Sequence, residues 1–373
     1  MLFDNTIHSY ADARMIAQRR LPWMVFDYID GAAGEGHGEQ ANLAALRDIR
    51  LRTRSLVNVE KRDITVKLFG KQAGLPFGIS PMGLCNLAGP GADMAFAGLA
   101  ARHKVPVGVS TAASTSLEKI IGAAEGNAWF QLYFSGNEDA SSKLMDRAAA
   151  AGYETLMLTV DVPEVGRRPR ELRRGFKMPF SIGPAQFIDF ALHPRWSIST
   201  LMKGKPELAN FGGSFGEFDR TSSRAGADWS LLDRIRDRWK GRLVIKGVLD
   251  AQDAVRMKKA GVDAVQVSSH GGRQLDSAPP PIAALRQIRE AVGEGFPLFF
   301  DTGVRSGEDI VKAYAMGADF VLIGRAFSFA FAAGGDAGVQ QMTDCLKVET
   351  SIALAQLGLT RITDVNANTI WRG

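Results

Sequence analysis

Cysteine is nearly absent from the chain. Cys85 and Cys345 are the only two among 373 residues, which excludes a disulfide framework or a cysteine metal cluster and fits a reducing compartment. No apolar run reaches the length of a transmembrane helix, and the N-terminal residues lack the unbroken apolar core of a secretion signal. Zinc-finger spacing and compact Lys/Arg tracts are also missing. The nearest cluster is Arg167, Arg168, Arg170, Arg173 and Arg174, so no nucleic-acid partner is expected despite a formal charge of +5. His8, His37, His103 and His193 are scattered, and no His/Asp/Glu pattern points to a metal. The expectation is a cytoplasmic protein, or one peripheral on the inner face of the cell membrane.

Glycine, in contrast, is plentiful, and from about residue 76 a rhythm emerges. Short apolar runs fall at 77–80, 105–109, 128–133, 155–160, 243–246, 264–268, 297–301 and 320–324. Helical patterns sit between them at 92–102, 116–124, 138–151, 251–260, 281–291 and 307–316. The phrases Ala151-Gly152, Ala260-Gly261 and Met316-Gly317 repeat one helix exit. Eight strands alternating with helices predict a closed (β/α)8 TIM barrel rather than an open sheet, and no Gly-x-Gly-x-x-Gly follows the first strand.

Helices at 10–19 and 21–29 form an N-terminal helical segment, and 61–69 reads as a strand or hairpin arm. The whole of 1–373 is expected to be one barrel domain. Residues 162–242 form a long excursion after strand 4, too long for a structureless loop. Its middle, 180–213, mixes Phe187, Ile188, Phe190, Leu192 and Trp196 with Arg195, Lys203 and Lys205. A lid, a subunit contact and a membrane-surface segment all fit that mixture.

Polar residues recur at the carboxyl ends of the runs, where a barrel of this kind builds its site. They are Ser110, Gln131, Tyr133, Thr159, Asp161, Lys246, Ser268, His270, Asp301 and Arg325. His270, beside Gly271-Gly272, suits a general base, although a structural histidine is the alternative. Asp301, ending the next strand, is expected to orient it. Arg168 and Arg273 at one mouth suggest a carboxylate ligand. Lys246 suits a Schiff base or a positive charge beside an electron-accepting cofactor. The stretches 301–307 and 323–325 have the makeup of a phosphate site.

Together, Trp129-Phe130-Gln131-Leu132-Tyr133, Leu158-Thr159-Val160-Asp161, Val244-Ile245-Lys246-Gly247, the stretch Ser268 to Asp276, and Ile323-Gly324-Arg325 resemble the FMN-dependent α-hydroxy acid dehydrogenase/oxidase family. The L-lactate and (S)-mandelate dehydrogenase branches are the most similar. The resemblance implies oxidation of an (S)-2-hydroxy acid to the 2-oxo acid by bound FMN, with electrons passing to quinone or another acceptor. A hydrogen-peroxide-producing oxidase is the alternative. It further implies His270 as base, paired with Asp301, and Arg273, Arg168 and Tyr28 on the substrate carboxylate. Tyr133 is implied on the substrate oxygen and Lys246 by the flavin pyrimidine ring. Ser110, Gln131, Thr159 and Ser268 are implied along the flavin edge, Met82 and Gly83 beside it, and Gly303, Arg305, Gly324 and Arg325 on its phosphate. A homotetramer is the implied assembly.

Three positions depart from the family pattern. Ser269 stands where Asn is usual, Thr302 where Gly or Ser is common, and Met82 where Thr is frequent. Gly83 resembles the dehydrogenases more than the oxidases.

Overall fold

The computed structural model describes residues 6–134, 136–176, 182–204, 206–211 and 223–372. Its centre is a closed barrel of eight parallel strands. These are β1 (Phe77–Met82), β2 (Val107–Ser110), β3 (Ala128–Tyr133), β4 (Thr155–Thr159), β5 (Arg242–Val248), β6 (Ala264–Val267), β7 (Leu298–Phe300) and β8 (Phe320–Ile323). The ring closes where Val321 of β8 pairs with Phe77 of β1. β6 and β7 are buried at every position. Burial on both faces is why the strands read as continuous apolar runs rather than alternating ones.

The expected helices are present as α4 (Ala92–His103), α5 (Leu117–Ala123), α6 (Glu138–Ala150), α11 (Ala251–Lys259), α12 (Pro281–Val292) and α13 (Gly307–Ala315), and three of them, α6, α11 and α13, exit through one geometry. Gly152, Gly261 and Gly317 have φ of 95°, 77° and 108°. The next residue in each case returns its N–H to a carbonyl five residues back: Tyr153 to Ala148, Val262 to Met257, and Ala318 to Ala313. Glycine enters that left-handed turn without a Cβ penalty, and the chain drops directly into the following strand.

The two ends of the barrel differ. The amino-terminal end is closed by aromatics: Phe299 lies 5.4 Å from Trp129 and 5.5 Å from Phe69, centroid to centroid. Phe69 belongs to a hairpin in which Val66–Leu68 pairs with Lys71–Ala73, and Arg242 covers its outer face at 4.5 Å. The apolar plug leaves the carboxyl end for polar groups.

Before the barrel come α1 (Tyr10–Arg20), α2 (Trp23–Asp30) and α3 (His37–Asp48). After it, α14 (Arg325–Gln356) bends at Gly335 and packs along α1. The excursion after β4 is helical, with α7 (Pro169–Arg173), α8 (Pro184–Leu192), α9 (Pro194–Lys203) and α10 (Trp229–Arg238). Of its expected features, Phe180, Ser181, Lys205, Gly212 and Gly213 lie outside the described residues.

Three contacts fix the excursion to the barrel. Asp189 of α8 accepts the N–H groups of Trp23 and Met24 at 2.9 and 3.2 Å, capping α2, which has no side-chain cap of its own. Trp196 donates its indole N–H to the Leu87 carbonyl. Fully buried Asn210 accepts the Leu117 N–H at 3.0 Å and points its amide at the carbonyls of Ser110 and Thr111.

Asn210→Ala strands the Leu117 N–H in the interior, a loss of about 1–3 kcal/mol. The expected outcome is a lower urea midpoint with an unchanged slope. An unchanged midpoint would mean that the amide does not anchor the excursion.

Candidate active site

A cavity of about 1250 Å³ opens at the carboxyl ends of the strands. It exceeds the roughly 300–1,000 Å³ of an ordinary single-ligand pocket, which leaves room for a cofactor and a substrate together. Tyr28, Met82, Gly83, Ser110, Tyr133, Arg168, Lys246, His270, Arg273, Asp301, Gly303, Arg305, Gly324 and Arg325 all line it. The other expected residues, Gln131, Thr159 and Ser268, lie buried outside its lining.

His270 sits on an unusual backbone. His270, Gly271 and Gly272 have φ of 56°, 68° and 73° in succession. The first is costly for a residue with a Cβ. Local bonds hold the turn: the His270 N–H donates to Ser268 Oγ at 3.0 Å, and the Gly272 N–H to the Ser269 carbonyl at 2.9 Å. Thr302 Oγ1 accepts from Gly271 at 3.2 Å and donates to Asp301 at 2.9 Å. The Thr302 departure therefore ties the histidine turn to the end of β7. The Ser269 departure is likewise built in, its hydroxyl accepting from Asn42 of α3 at 3.1 Å.

The imidazole pairs with Asp161, not with Asp301 as the sequence suggested. Nδ1 lies 3.0 and 3.3 Å from the two Asp161 oxygens. Asp301 is engaged elsewhere, accepting from Ser80 at 3.0 Å and Gln266 at 2.6 Å and lying 3.7 Å from Lys246. Asp161 reaches the histidine across β5, where Gly247 would place a Cβ only 2.4 Å from the Asp161 carboxyl carbon. Any larger residue at 247 would close that path. On its other side, His270 Nε2 is 3.3 Å from the Tyr133 hydroxyl.

Burial lowers the His270 pKa, with Lys246 adding to that effect and Asp161 opposing it. The ring is thus neutral at pH 7, with Nδ1 at the carboxylate. Burial also works against a charged Lys246, but Asp301 and Asp161 outweigh it and hold its pKa above the usual lysine value. Burial opposes ionisation of Asp161 as well, and His270 and Lys246 overcome it to keep its pKa low.

The structure brings Arg168 and Arg273 together, along with a partner that sequence reasoning missed. Buried Glu171 of α7 lies 2.8 Å from Arg273 and 3.5 Å from Arg168. Arg273 also donates to the carbonyls of Tyr28 and Gly31, and Arg168 to Gln274 and the Arg273 carbonyl. Two guanidiniums gathered at one wall of the cavity suit a ligand carboxylate. The Tyr28 ring lies under Arg273, stacked on Phe176 at 4.5 Å.

The remaining residues fit FMN. Gln131 donates to Thr159 at 2.9 Å, but its buried amide oxygen has no partner among the described residues. Such an oxygen suits a ring N–H. Lys246 donates to Ser268 at 3.1 Å, placing a fixed cation under the cavity. At the other end, the Arg305 and Arg325 guanidiniums share Glu39 at 3.8 and 3.5 Å, beside Gly303 with φ of 85°. Two guanidiniums beside a left-handed glycine turn suit a phosphate. No group of His, Cys, Asp and Glu among the described residues suits a metal ion.

Comparison with known proteins agrees with this geometry. Residues 17–372 match the family model described as FMN-dependent dehydrogenase. The chain is 38% identical to (S)-mandelate dehydrogenase of Pseudomonas putida, across 95% of this chain and 91% of that one. It is 35% identical to L-lactate dehydrogenase of Pseudomonas syringae pv. syringae (strain B728a), across 97% and 98%. The fold superposes with a TM-score of 0.94 on a crystal structure of the monotopic membrane protein (S)-mandelate dehydrogenase, at 36% identity over 98% of this chain and all of that one. A barrel with these strand-end residues, matched over nearly its whole length, belongs to the FMN-dependent dehydrogenase family.

Proposed function

We propose that the chain oxidises an (S)-2-hydroxy acid of the lactate or mandelate kind to its 2-oxo acid and passes the electrons to a quinone or another acceptor. The observation that carries this reading is His270, held between Asp161 and Tyr133 in a cavity also lined by Arg168 and Arg273. In this reading the two arginines and the Tyr28 phenol bind the substrate carboxylate, which fixes the α-carbon near the imidazole. Tyr133 bonds the substrate oxygen. With Nδ1 at Asp161, Nε2 is the nitrogen that takes a proton, and Asp161 then stabilises the imidazolium.

Bound FMN supplies the two-electron acceptor. Ser110, Gln131, Thr159 and Ser268 would hold its ring edge, with Met82 and Gly83 beside it. Gly303, Arg305, Gly324 and Arg325 would hold its phosphate. Lys246 offers positive charge to the reduced ring, and Asp301 positions Lys246.

The excursion supports a membrane-facing location. Phe187, Ile188 and Leu192 on α8 and Ile198, Leu201 and Met202 on α9 are all more than half exposed. Arg195 and Lys203 lie on the same helix pair. An apolar face edged with basic residues suits an anionic lipid surface. No helix among the described residues is long and apolar enough to cross a membrane. A homotetramer remains part of the reading.

Anaerobic mixing of the yellow holoenzyme with glycolate, L-lactate, (S)-mandelate and longer 2-hydroxy acids is expected to bleach the flavin. Bleaching by none of them would overturn the reaction. Faster reoxidation by a quinone analogue than by air is expected, and the reverse order would make the protein an oxidase.

His270→Gln is expected to slow reduction by roughly 10²–10⁴-fold. In the parent, kcat/KM should rise with pH through a limb below the ordinary histidine value, because the base acts when neutral. Asp161→Asn removes an anion that raises the His270 pKa. That limb should therefore move to still lower pH while the plateau falls. A shift to higher pH would contradict the assigned pair.

Phe187→Glu with Leu201→Glu is expected to abolish co-sedimentation with anionic vesicles and leave the subunit count unchanged. Dissociation into smaller species, without vesicle binding by the parent, would make this face a subunit contact instead.

A further inference from the structure

Glu39 is an acid that the proposed reaction does not use, and it stands among the cations assigned to the flavin phosphate. Its carboxylate lies 3.5 Å from the Arg325 guanidinium and 3.8 Å from that of Arg305. Both distances exceed those of an ordinary hydrogen bond, so the contact is one of charge rather than of directed bonds. Arg305 and Arg325 line the cavity and Glu39 does not. The acid stands behind the two arginines, on the side away from a ligand in the cavity.

Its place is fixed by the start of α3. The Asp276 carboxylate accepts the N–H groups of Glu35 at 3.0 Å and Gly38 at 2.8 Å, which closes the turn leading into the helix. Gly272 packs against the same turn, and a Cβ there would lie 2.9 Å from the Glu39 nitrogen. One helical turn further on, Asn42 is tied to Ser269. The helix is thus held against the histidine turn on both sides of Glu39.

The arginines do not depend on Glu39 for their own positions. Arg325 donates to the carbonyls of Ile29, Gly271 and Gly31 at 3.0, 2.9 and 2.8 Å. Arg305 donates to the Val304 carbonyl at 3.2 Å and lies over the Tyr10 ring at 4.3 Å. Burial lowers the Arg325 pKa, and Glu39 is the leading charge opposing that effect. Asp30, a weaker influence on the same arginine, is already bound by Arg14 and Arg170. What Glu39 supplies is negative charge beside the place of another anion.

We propose that Glu39 is a counter-charge that sets cofactor affinity. It weakens the hold of Arg305 and Arg325 on the FMN phosphate, and so narrows the preference for FMN over riboflavin, which lacks that phosphate. A carboxylate a few Å behind two guanidiniums lowers the positive potential they present to a ligand, and salt screens the effect little in a partly buried site. The inference rests on the assignment of the phosphate to Arg305 and Arg325. It is independent of which 2-hydroxy acid is oxidised.

The test follows FMN release from the diluted holoenzyme by flavin fluorescence. The same signal gives Kd for FMN and for riboflavin added back to the full chain after flavin removal. Glu39→Gln keeps the shape of the side chain and removes its charge. It is expected to slow FMN release and lower the FMN Kd by roughly 5- to 20-fold, with the riboflavin Kd unchanged. Glu35→Gln removes an exposed acid just before the same helix and is expected to alter neither constant. Far-UV circular dichroism confirms that each variant is folded.

An unchanged FMN Kd in Glu39→Gln would overturn the proposal. A higher one would also overturn it and make Glu39 an anchor for the arginines. An equal gain for riboflavin would place the effect away from the phosphate, and an equal gain in Glu35→Gln would reduce it to overall charge. Either result counts against Glu39 as well. Should the parent bind riboflavin as tightly as FMN, with Arg325→Met altering neither Kd, the phosphate assignment itself fails and takes the inference with it.

Discussion

Lys246 is an ammonium group almost out of reach of water, and the top of the barrel is organised around it. Removing such an ion from solvent costs several kcal/mol unless charge and hydrogen bonds replace the water. Ser268 supplies one bond, and Asp301 and Asp161 supply the negative charge that keeps the lysine protonated. The two carboxylates are not equivalent. Asp301 is bound by Ser80, Gln266 and Thr302 at the end of β7. Asp161 stands on the opposite side and is the one left for His270. A single buried cation thus faces both acids, and their positions divide the contacts between them.

Much of the fold was legible because parallel strands covered on both faces have to be apolar throughout. The runs at 264–268 and 320–324 could hardly be anything else once helix exits such as Lys259-Ala260-Gly261 and Ala315-Met316-Gly317 framed them. The strand-end location of the site followed from the same reading. The partner of His270 did not. Both Asp161 and Asp301 end strands, and choosing between them depends on how far a side chain reaches across β5. The only trace of that in the sequence is Gly247, a missing Cβ whose purpose appears once Asp161 is seen beside it. Glu171 was hidden for a similar reason. It sits within a run of arginines that reads as a solvated face, and only folding buries it between Arg168 and Arg273.

The departures at Ser269 and Thr302 carry a related lesson. Each departs from the family pattern, and each proves to be a connection. Ser269 ties the turn to α3, and Thr302, itself at φ of 86°, ties it to β7. A non-glycine residue in the left-handed region costs on the order of 1–2 kcal/mol. His270 and Thr302 both occupy it, and their hydrogen bonds offset each other's cost. The imidazole is therefore positioned by several weak local bonds rather than by one strong one.

The cap that Asp189 places on α2 has an engineering consequence. The helix pair with the exposed apolar face looks like a removable module, an attractive target for anyone wanting a more soluble enzyme. Its buried side, however, supplies the carboxylate that finishes the first turn of α2, and α2 carries Tyr28 into the cavity. A replacement segment must return an acidic side chain to that point. Otherwise the gain in solubility comes with a frayed helix beneath Arg168 and Arg273.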